Sequence, residues 1–454
     1  MARVGDASGM DVAESRELPF HLRGNFAPVD REVTATDLPV EGAIPPELRG
    51  LYLRNGPNPR SGTSAHWFLG DGMIHGIRIE DGKAAWYRNH WVRTRALEEG
   101  ATFLTEDGTI DRTIALANTN VVCHAGRILA QVENAFPTVM TRELDTIGSY
   151  DFDGRLDTAM TAHPKCCPST GEMHFFGYSF FEPYLVYHRA DAAGCLNHRE
   201  EIPVAGPTMI HDFNLTERHV VFMDLPIVFD LEWALAGGRF PYHWSDDYGA
   251  RLGVMPRGGR ADQLRWFDVA PCYVFHPLNA YDDGNRIVID VARYPRLWDG
   301  DSTTFEAAQL HRWTIDLAAG RVAEEPLDDR HVEFPRVDDR VVGKPHRVGW
   351  AVENLADFGA RAMQLVKYDL ATGRSEAHRF GPGRMPSEAV FVPAGPGAGE
   401  DEGWLVHFVY DHARNGSDFV ILDAGDLAKK PVATVRLPQR VPFGFHGNWI
   451  PDRR

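Results

Sequence analysis

Four of the 20 histidines have apolar neighbours beside a turn-former or a proline. They are His163 in Thr-Ala-His-Pro-Lys, His211 in Met-Ile-His-Asp-Phe, His276 in Val-Phe-His-Pro-Leu and His446 in Phe-Gly-Phe-His-Gly. Neutral imidazole is a common metal ligand, and four imidazoles suit a borderline divalent cation such as Fe(II). Their separations of 48, 65 and 170 residues would let different structural units aim one ring each at a common axis. The alternative is four ordinary core histidines with satisfied hydrogen bonds.

Three glutamates, Glu133, Glu333 and Glu388, also lie in apolar surroundings. A buried carboxylate needs a partner. One candidate partner is the far ring N–H of a metal-ligating histidine, which the carboxylate orients and makes more basic. An ordinary salt bridge to arginine is the other.

Other catalytic patterns are weak or absent. The sequence contains no H-E-x-x-H, no G-x-S-x-G and no Walker A motif. An iron site of two histidines and one carboxylate would have only His198-Arg-Glu200 or His331-Val-Glu333 to start from. Calcium lactonases and sialidase-like hydrolases, which are acid-rich propellers, stay open at this point.

Strand patterns dominate the elements that must position these residues. The 43 glycines and 30 prolines favour many turns, and short runs of β-branched and aromatic residues lie between them. Only Leu231–Gly237 and 305–310 indicate short helices. The sequence therefore predicts an all-β fold.

A weak internal repeat refines this prediction. Trp313-Thr-Ile-Asp-Leu-Ala-Ala-Gly320 resembles Val366-Lys-Tyr-Asp-Leu-Ala-Thr-Gly373, and Ile421-Leu-Asp-Ala-Gly is a looser copy. A strand, an aspartate turn and a return strand at a period of roughly 50 residues are typical of a β-propeller blade. An array of β-sandwiches with similar hairpins is the alternative. We expect a flexible arm over residues 1–24 and a single domain over 25–454.

Charge and cysteine content limit the partners and the compartment. A net charge of −17 over 454 residues argues against nucleic acid. Five cysteines without a C-x-x-C pair favour free thiols in a reducing cytoplasm. The N-terminus lacks the apolar core of a signal peptide, and no run is long enough to span a membrane. We expect an apolar small-molecule substrate and no obligatory protein partner.

The chain resembles the carotenoid cleavage oxygenases, most closely the actinobacterial members, over about residues 22–450. The resemblance rests on Ile44-Pro-Pro-Glu-Leu-Arg-Gly-Leu-Tyr-Leu-Arg-Asn-Gly-Pro-Asn-Pro59, on His66-Trp-Phe-Leu-Gly-Asp-Gly-Met-Ile-His75, and on Ala162-His-Pro-Lys165 with Thr170-Gly-Glu172. Ile210-His-Asp-Phe213, Phe275-His-Pro-Leu-Asn-Ala-Tyr281, Gly444-Phe-His-Gly447, Glu-Phe-Pro-Arg at 333–336 and Pro-Ser-Glu-Ala-Val-Phe-Val at 386–392 continue it.

The resemblance implies a seven-bladed β-propeller under a dome of loops and short helices. It implies one Fe(II) per subunit, bound by His163, His211, His276 and His446, with Glu133, Glu333 and Glu388 supporting three of the four rings in a pairing that the sequence does not give. It also implies O₂ as co-substrate, cleavage of a conjugated C=C bond into two carbonyl products, and Thr119 near an open position of the iron.

Two residue patterns bear on the substrate. Stilbene-cleaving members tend to carry a lysine where this chain has Val132, so a carotenoid or apocarotenoid is expected before a stilbene or phenylpropene. Only about 15 residues separate Asp224-Leu-Pro226 from Pro241-Tyr-His-Trp244, where many members carry a long apolar insertion. At most peripheral membrane contact is therefore expected. A non-oxidative isomerohydrolase or an apolar-ligand binder is the less favoured reading.

Overall fold

Antiparallel sheets follow one another along the chain in the computed structural model, which describes residues 18–105, 108–237, 239–300, 302–303, 306–353 and 363–452. Seven sets of strands form the blades of a β-propeller. The first set is closed by both ends of the chain. Its strands are Val33–Ala35, Gly50–Pro57, Gly72–Glu80, Lys83–Trp91 and the C-terminal Gly447–Pro451.

Blades 2, 3 and 4 are four-stranded sheets built from consecutive segments. Their strands are Asn120–His124, Arg127–Gln131, Thr138–Met140 and Thr146–Ser149; Lys165–Cys166, Met173–Tyr178, Leu185–Ala190 and Leu196–Glu201; and Phe213–Leu215, His219–Asp224, Arg251–Pro256 and Arg265–Asp268. A separate two-stranded sheet pairs Ile227–Phe229 with Tyr242–Trp244.

Blades 5 and 6 share the strand Arg321–Arg336. Most of this strand pairs with Gln309–Asp316 of blade 5, and its last part pairs with Val348–Glu353 of blade 6. The remaining strands of blades 5 to 7 are Tyr273–Asp283, Arg286–Tyr294 and Gln309–Asp316; Val348–Glu353, Gln364–Asp369 and Arg374–Arg379; and Arg384–Pro386, Val390–Pro393, Gly403–Asp411, Gly416–Asp423 and Ala433–Arg436. Val40–Gly42 adds an outer strand to blade 7, so the ring is closed by two strand pairings.

The aspartates of the internal repeat occupy the same place in three successive blades. Asp316 and Asp369 end the third strands of blades 5 and 6. Asp423 ends the equivalent strand of blade 7, where the two short strands Arg384–Pro386 and Val390–Pro393 both pair with Gly403–Asp411 and together form the inner strand. Each carboxylate accepts a hydrogen bond from a backbone N–H of the following turn, at 2.8 to 3.0 Å. The propeller expectation is confirmed, and the sandwich alternative is wrong.

Helices are few and short. The α-helices are Arg95–Glu99 and Leu231–Ala236, and the 3₁₀ turns are Phe20–Leu22, Gly24–Phe26, Trp67–Leu69, Ala261–Gln263 and Asp339–Val341. Asp230 caps the second α-helix by accepting from the Trp233 N–H at 2.8 Å, as expected for an N-cap. The helix expected over 305–310 is wrong, because Gln309 and Leu310 begin a strand of blade 5; residue 305 lies outside the described residues.

Both faces of the blades are packed, as stacked sheets require. The strand Gly50–Pro57 is buried at every position, and Trp313 and Trp350 are completely buried between blades. Residues 1–17 of the expected arm lie outside the described residues, while His21 is buried with its Nε2 3.0 Å from the Ser64 carbonyl oxygen. The division into an arm and one domain stays a prediction.

Candidate metal centre

The four predicted histidines lie in or just before an edge strand of their blades. His163 precedes Lys165–Cys166, His211 precedes Phe213–Leu215, His276 lies in Tyr273–Asp283 and His446 directly precedes Gly447–Pro451. Each of these strands is an edge strand of its sheet. One nitrogen from each ring lies within 4.8 Å of the others, and all four residues are buried. The four edges therefore face one axis and bring the rings together.

The spacing of the ring nitrogens fits a single cation. His163 Nε2 lies 3.0 Å from His211 Nε2, and His211 Nε2 lies 3.2 Å from His276 Nε2. Two nitrogens that each bind a metal at about 2.1 Å and at right angles to each other are about 3.0 Å apart. The observed separations match this value.

Carboxylates on the far side of three rings fix their tautomers. His276 Nδ1 lies 2.6 Å from Glu333 Oε2, His446 Nδ1 lies 3.0 Å from Glu388 Oε1, and His211 Nδ1 contacts Glu133. A ring that donates from Nδ1 to a carboxylate presents the lone pair of Nε2. When both rings are neutral, the short contact between His211 and His276 joins two lone pairs, and a cation between them would remove their repulsion.

His163 has a different surrounding. Its Nδ1 is 3.6 Å from Asp212 Oδ2, beyond hydrogen-bond distance. Asp212 instead accepts from Lys165 Nζ at 2.9 Å and from the Phe213 N–H at 2.6 Å. Three histidines therefore have a directly bonded carboxylate, and the fourth lies beside a buried Asp–Lys pair.

The charges around the rings complement a divalent cation. Four carboxylates (Glu133, Glu333, Glu388, Asp212) and two cations (Lys165, and Arg336, whose Nη1 lies 3.4 Å from Glu388 Oε1) leave two negative charges. Burial alone would raise the pKa of Glu388, but His446 and Arg336 outweigh it and lower the pKa to about 2. Burial, with His211 next in effect, holds the pKa of His163 well below its usual value. Ionised carboxylates and neutral imidazole are the protonation states that metal ligation requires.

Tyrosines hold two of the glutamates from the other side. Tyr178 donates to Glu133 Oε2 at 2.6 Å, and Tyr294 donates to Glu333 Oε1 at 2.9 Å. Burial, and then the adjacent carboxylates, raise the pKa of both phenols well above the usual value. The phenols therefore act as fixed donors, and the carboxylates have little freedom to turn away from the rings.

Thr119 occupies the corresponding place in blade 2, just before the strand Asn120–His124. Its carbonyl oxygen accepts from the His446 N–H at 3.2 Å, and its hydroxyl donates to Asn118 at 3.0 Å. The side chain is 9% exposed and lines the same cavity as His446. Its hydroxyl is thus turned to a protein acceptor.

An apolar cavity of about 540 Å³ reaches the histidines from one side. His211, His276 and His446 line it, together with many large aromatic side chains, among them Trp67, Phe68, Phe240, Tyr242, Phe275 and Phe445. The segments that form it, including Trp67–Leu69 and Leu231–Ala236, lie between the blades' strands. The size and lining of this cavity suit an apolar ligand next to the four histidines.

Six exposed large apolar residues also belong to the lining of this cavity and form its rim: Leu69, Phe103, Leu104, Phe181, Leu231 and Leu235. Leu235 is 77% exposed. Leu231 and Leu235 lie in the segment between Asp224 and Pro241, which the sequence analysis singled out as short. None of the described helices has the length and apolar character needed to cross a bilayer.

A second space of about 1980 Å³ reaches the centre from the opposite side. All seven blades contribute to its walls, so it is a channel along the propeller axis. Its lining near the rings includes His163, Lys165, Asp212, Arg336 and Glu388. This side of the centre is charged.

The sequence-based site residues therefore come together, with Glu333, Glu388 and Glu133 beside His276, His446 and His211 respectively. Sequence reasoning missed the roles of Asp212, Lys165, Arg336, Tyr178 and Tyr294. A weak signal existed for three of them, because Asp212 follows His211 and the other two, Lys165 and Arg336, belong to the quoted motifs. The tyrosines had no such signal.

Comparison with known proteins identifies the family to which this architecture belongs. A seven-bladed propeller with four convergent histidines and an apolar cavity defines a class of metal-dependent oxygenases. The sequence model of the family described as retinal pigment epithelial membrane protein matches residues 26–451. A carotenoid cleavage oxygenase of Mycobacterium tuberculosis is 42% identical over 97% of this chain and 99% of its own length. The chain belongs to the carotenoid cleavage oxygenase family and is an enzyme of the dioxygenase type.

Other relatives differ in the substrates that their names state. Carotenoid 9,10(9′,10′)-cleavage dioxygenase 1 of Phaseolus vulgaris is 33% identical over 96% of this chain and 90% of its own. The crystal structure of Pseudomonas brassicacearum lignostilbene dioxygenase superposes with a TM-score of 0.86 at 31% identity, covering 96% of this chain and all of that one. Cobalt-substituted Synechocystis ACO gives a TM-score of 0.83 at 26% identity, covering 94% and 97%.

Proposed function

We propose that this protein binds one Fe(II) per subunit through His163, His211, His276 and His446 and uses O₂ to cleave a conjugated C=C bond of a carotenoid or apocarotenoid. The observation that carries the proposal is the meeting of an apolar cavity with four convergent ring nitrogens. The relatives named carotenoid cleavage oxygenases and dioxygenases support it.

The reaction balances without a further reductant. An alkene R–CH=CH–R′ and O₂ give R–CHO and R′–CHO, so both oxygen atoms end in the two products. When bound, Fe(II) supplies the electron-transfer chemistry that lets O₂ react with an electron-rich alkene.

The residues of the chain bind the polyene and keep its reacting bond dry. Aromatic side chains such as Phe275 and Phe445 flank the histidines and favour a flat conjugated chain over water. Their rings also exclude solvent from the reacting carbons, which protects reactive species from hydrolysis. Glu133, Glu333 and Glu388 orient the rings and accept their protons in hydrogen bonds.

A stilbene or phenylpropene is the second candidate substrate, favoured by the likeness to the lignostilbene dioxygenase. A phenolic substrate needs a polar anchor beside the metal. The apolar Val132 lines the cavity directly before Glu133, and the Tyr178 hydroxyl already donates to that glutamate. These contacts favour the polyene. A cytoplasmic location and at most peripheral membrane contact remain predictions.

Turnover under ¹⁸O₂ tests the function. The Fe(II)-loaded protein is incubated with β-carotene, a long apocarotenal, resveratrol or isoeugenol, and products are reduced with borohydride at once to trap the label before mass spectrometry. We expect paired products from a polyene, each with one ¹⁸O, and none without O₂. Paired products from resveratrol or isoeugenol alone would establish the second candidate. Bound iron without O₂ consumption would indicate a non-oxidative member.

A further inference from the structure

Arg112 is a charged residue in the wall of the apolar cavity. Its side chain is half-buried, and burial lowers the pKa of its guanidinium. Within the described part of the chain, no acceptor lies within hydrogen-bond or ion-pair distance of that guanidinium. Charged groups that leave water without a partner are costly, so a residue in the cavity wall carries a cation that can still accept a polar ligand group.

The nearby carboxylates are already engaged by other arginines. Asp111, the preceding residue, binds Arg95 at 2.9 Å. Asp157, which raises the pKa of Arg112 electrostatically, binds Arg199 at 3.0 Å. Among the residues that the structure describes, no carboxylate forms an ion pair with Arg112.

The other arginine in the cavity lining differs in both respects. Arg239 is exposed, and its guanidinium lies over the indole of Trp233, 3.0 Å from the ring centroid. A cation over an indole face is partly compensated by the ring. Arg239 thus serves as a matched comparison for Arg112.

The backbone ties Arg112 to the metal centre through a short chain of contacts. The Arg112 carbonyl oxygen accepts from the Phe136 N–H at 2.8 Å. Phe136 lies three residues after Glu133, which contacts His211, and the intervening Ala135 is fully buried. The backbone at the base of the Arg112 side chain is therefore tied to the segment that carries Glu133.

We propose that Arg112 binds the oxygen-bearing end of an elongated apolar substrate and thereby determines which double bond lies at the metal centre. A guanidinium donates in a planar fork that fits a carboxylate best and also serves a carbonyl or hydroxyl oxygen. The cavity then takes an apocarotenoid by its oxidised end rather than a pure hydrocarbon. The choice of the double bond that is cleaved rests on the proposed function. The binding of the oxygen-bearing end by Arg112 does not.

Binding without turnover separates the two proposals. Apo-8′-carotenoic acid, apo-8′-carotenol and β-carotene are titrated into the metal-loaded full chain under anaerobic conditions, with quenching of tryptophan fluorescence as the readout. We expect Arg112→Gln to weaken binding of the acid by about tenfold or more, the alcohol by less, and β-carotene by less than about twofold. Arg112→Lys should retain most of the acid affinity, and Arg239→Gln should leave it unchanged.

Equal losses for acid and hydrocarbon in Arg112→Gln would show a packing role and overturn the proposal. If Arg239→Gln lost affinity for the acid and Arg112→Gln did not, Arg239 would be the binding residue. That result would also overturn the proposal. Where the wild type cleaves the acid at one bond, Arg112→Gln should give products from neighbouring bonds. If the wild type cleaves none of the substrates, the proposed function is wrong. The binding data would still decide whether Arg112 binds the oxygen-bearing end.

Discussion

The metal centre separates two spaces of opposite chemical character. On one side, aromatic side chains such as Phe275 and Phe445 form an apolar cavity; on the other, Lys165, Asp212 and Arg336 line the axial channel. His211 lines only the cavity and His163 only the channel, while His276 and His446 face both. The compensating carboxylates are divided between the two sides. Asp212 and Glu388 line the channel. Glu133 and Glu333 line the cavity, where each accepts a hydrogen bond from a tyrosine.

The same division explains why the histidines are supported differently. His211, on the cavity side, is held by Glu133 and indirectly by Tyr178. His163, on the channel side, has Asp212 at 3.6 Å, and that carboxylate is bound by Lys165. A carboxylate with its own cation contributes less negative charge to the metal than one paired only with a phenol. We therefore expect cavity-side changes to affect substrate as well as metal, and channel-side changes to affect metal and stability.

Removal of a histidine that faces both spaces should have the largest effect. His276→Ala removes a ligand that lies 3.2 Å from His211 and leaves Glu333 without its ring partner. We expect metal content to fall from about one per chain to background and cleavage to be lost with it. Plasma mass spectrometry of the purified variant measures the metal. The control is His412→Ala, an exposed histidine in blade 7; full metal content in His276→Ala would exclude the ligand role.

Substitution of the supporting glutamates should have the next largest effect and tests the comparison directly. Glu388 accepts from His446, from the Gly447 N–H at 2.8 Å, and pairs with Arg336. Glu388→Gln should weaken metal affinity roughly 10–100-fold with little change in KM at saturating metal. Glu133→Gln should weaken metal affinity similarly and also raise KM, because Glu133 lines the cavity. Competition with a fluorescent chelator gives the affinities.

Equal changes of KM in the two glutamine variants would contradict the separation of the two sides. Each variant also needs its circular dichroism spectrum compared with the wild type, since Glu388 is 2% exposed. A Glu388→Asp variant keeps the charge and should recover part of the metal affinity.

The sequence predicted the ligands better than their partners, and the reason is topological. His163, His211, His276 and His446 lie in distinctive local motifs, so each could be recognised alone. The pairing of Glu333 with His276 joins the inner strands of blades 5 and 6, and that of Glu388 with His446 joins blades 7 and 1. Such pairs depend on which blades are neighbours, and the local sequence around each residue does not indicate this.

The repeat and the failed helix illustrate the same limit at the level of the fold. Asp316, Asp369 and Asp423 were recognisable because an aspartate turn is encoded within a few residues. The segment at 305–310 has an apolar spacing that suits a short helix, but Gln309 pairs with both Arg293 and His331 in blade 5. Pairing with neighbours on both sides outweighs a weak local preference.

A change within the axial channel should have the smallest effect on function and a clear effect on stability. Lys165 Nζ lies 2.8 Å from Asp212 Oδ1, and the Asp212 side chain is 3% exposed while that of Lys165 is 20% exposed. Lys165→Met leaves a buried carboxylate unpaired, and we expect the metal-free protein to lose about 1–3 kcal/mol of unfolding free energy. Urea unfolding of the metal-free protein measures this loss without metal linkage.

The matched control and the double variant decide whether the pair acts as described. Lys429→Met removes an exposed pair with Asp423 and should leave stability unchanged. Lys165→Met with Asp212→Asn should recover part of the loss, since no charge is then buried alone. Anaerobic binding of apo-8′-carotenoic acid should be the same in Lys165→Met as in the wild type, because Lys165 lines only the channel. A change in that affinity as large as the one expected for Arg112→Gln would mean that the two spaces are not separated by the metal centre.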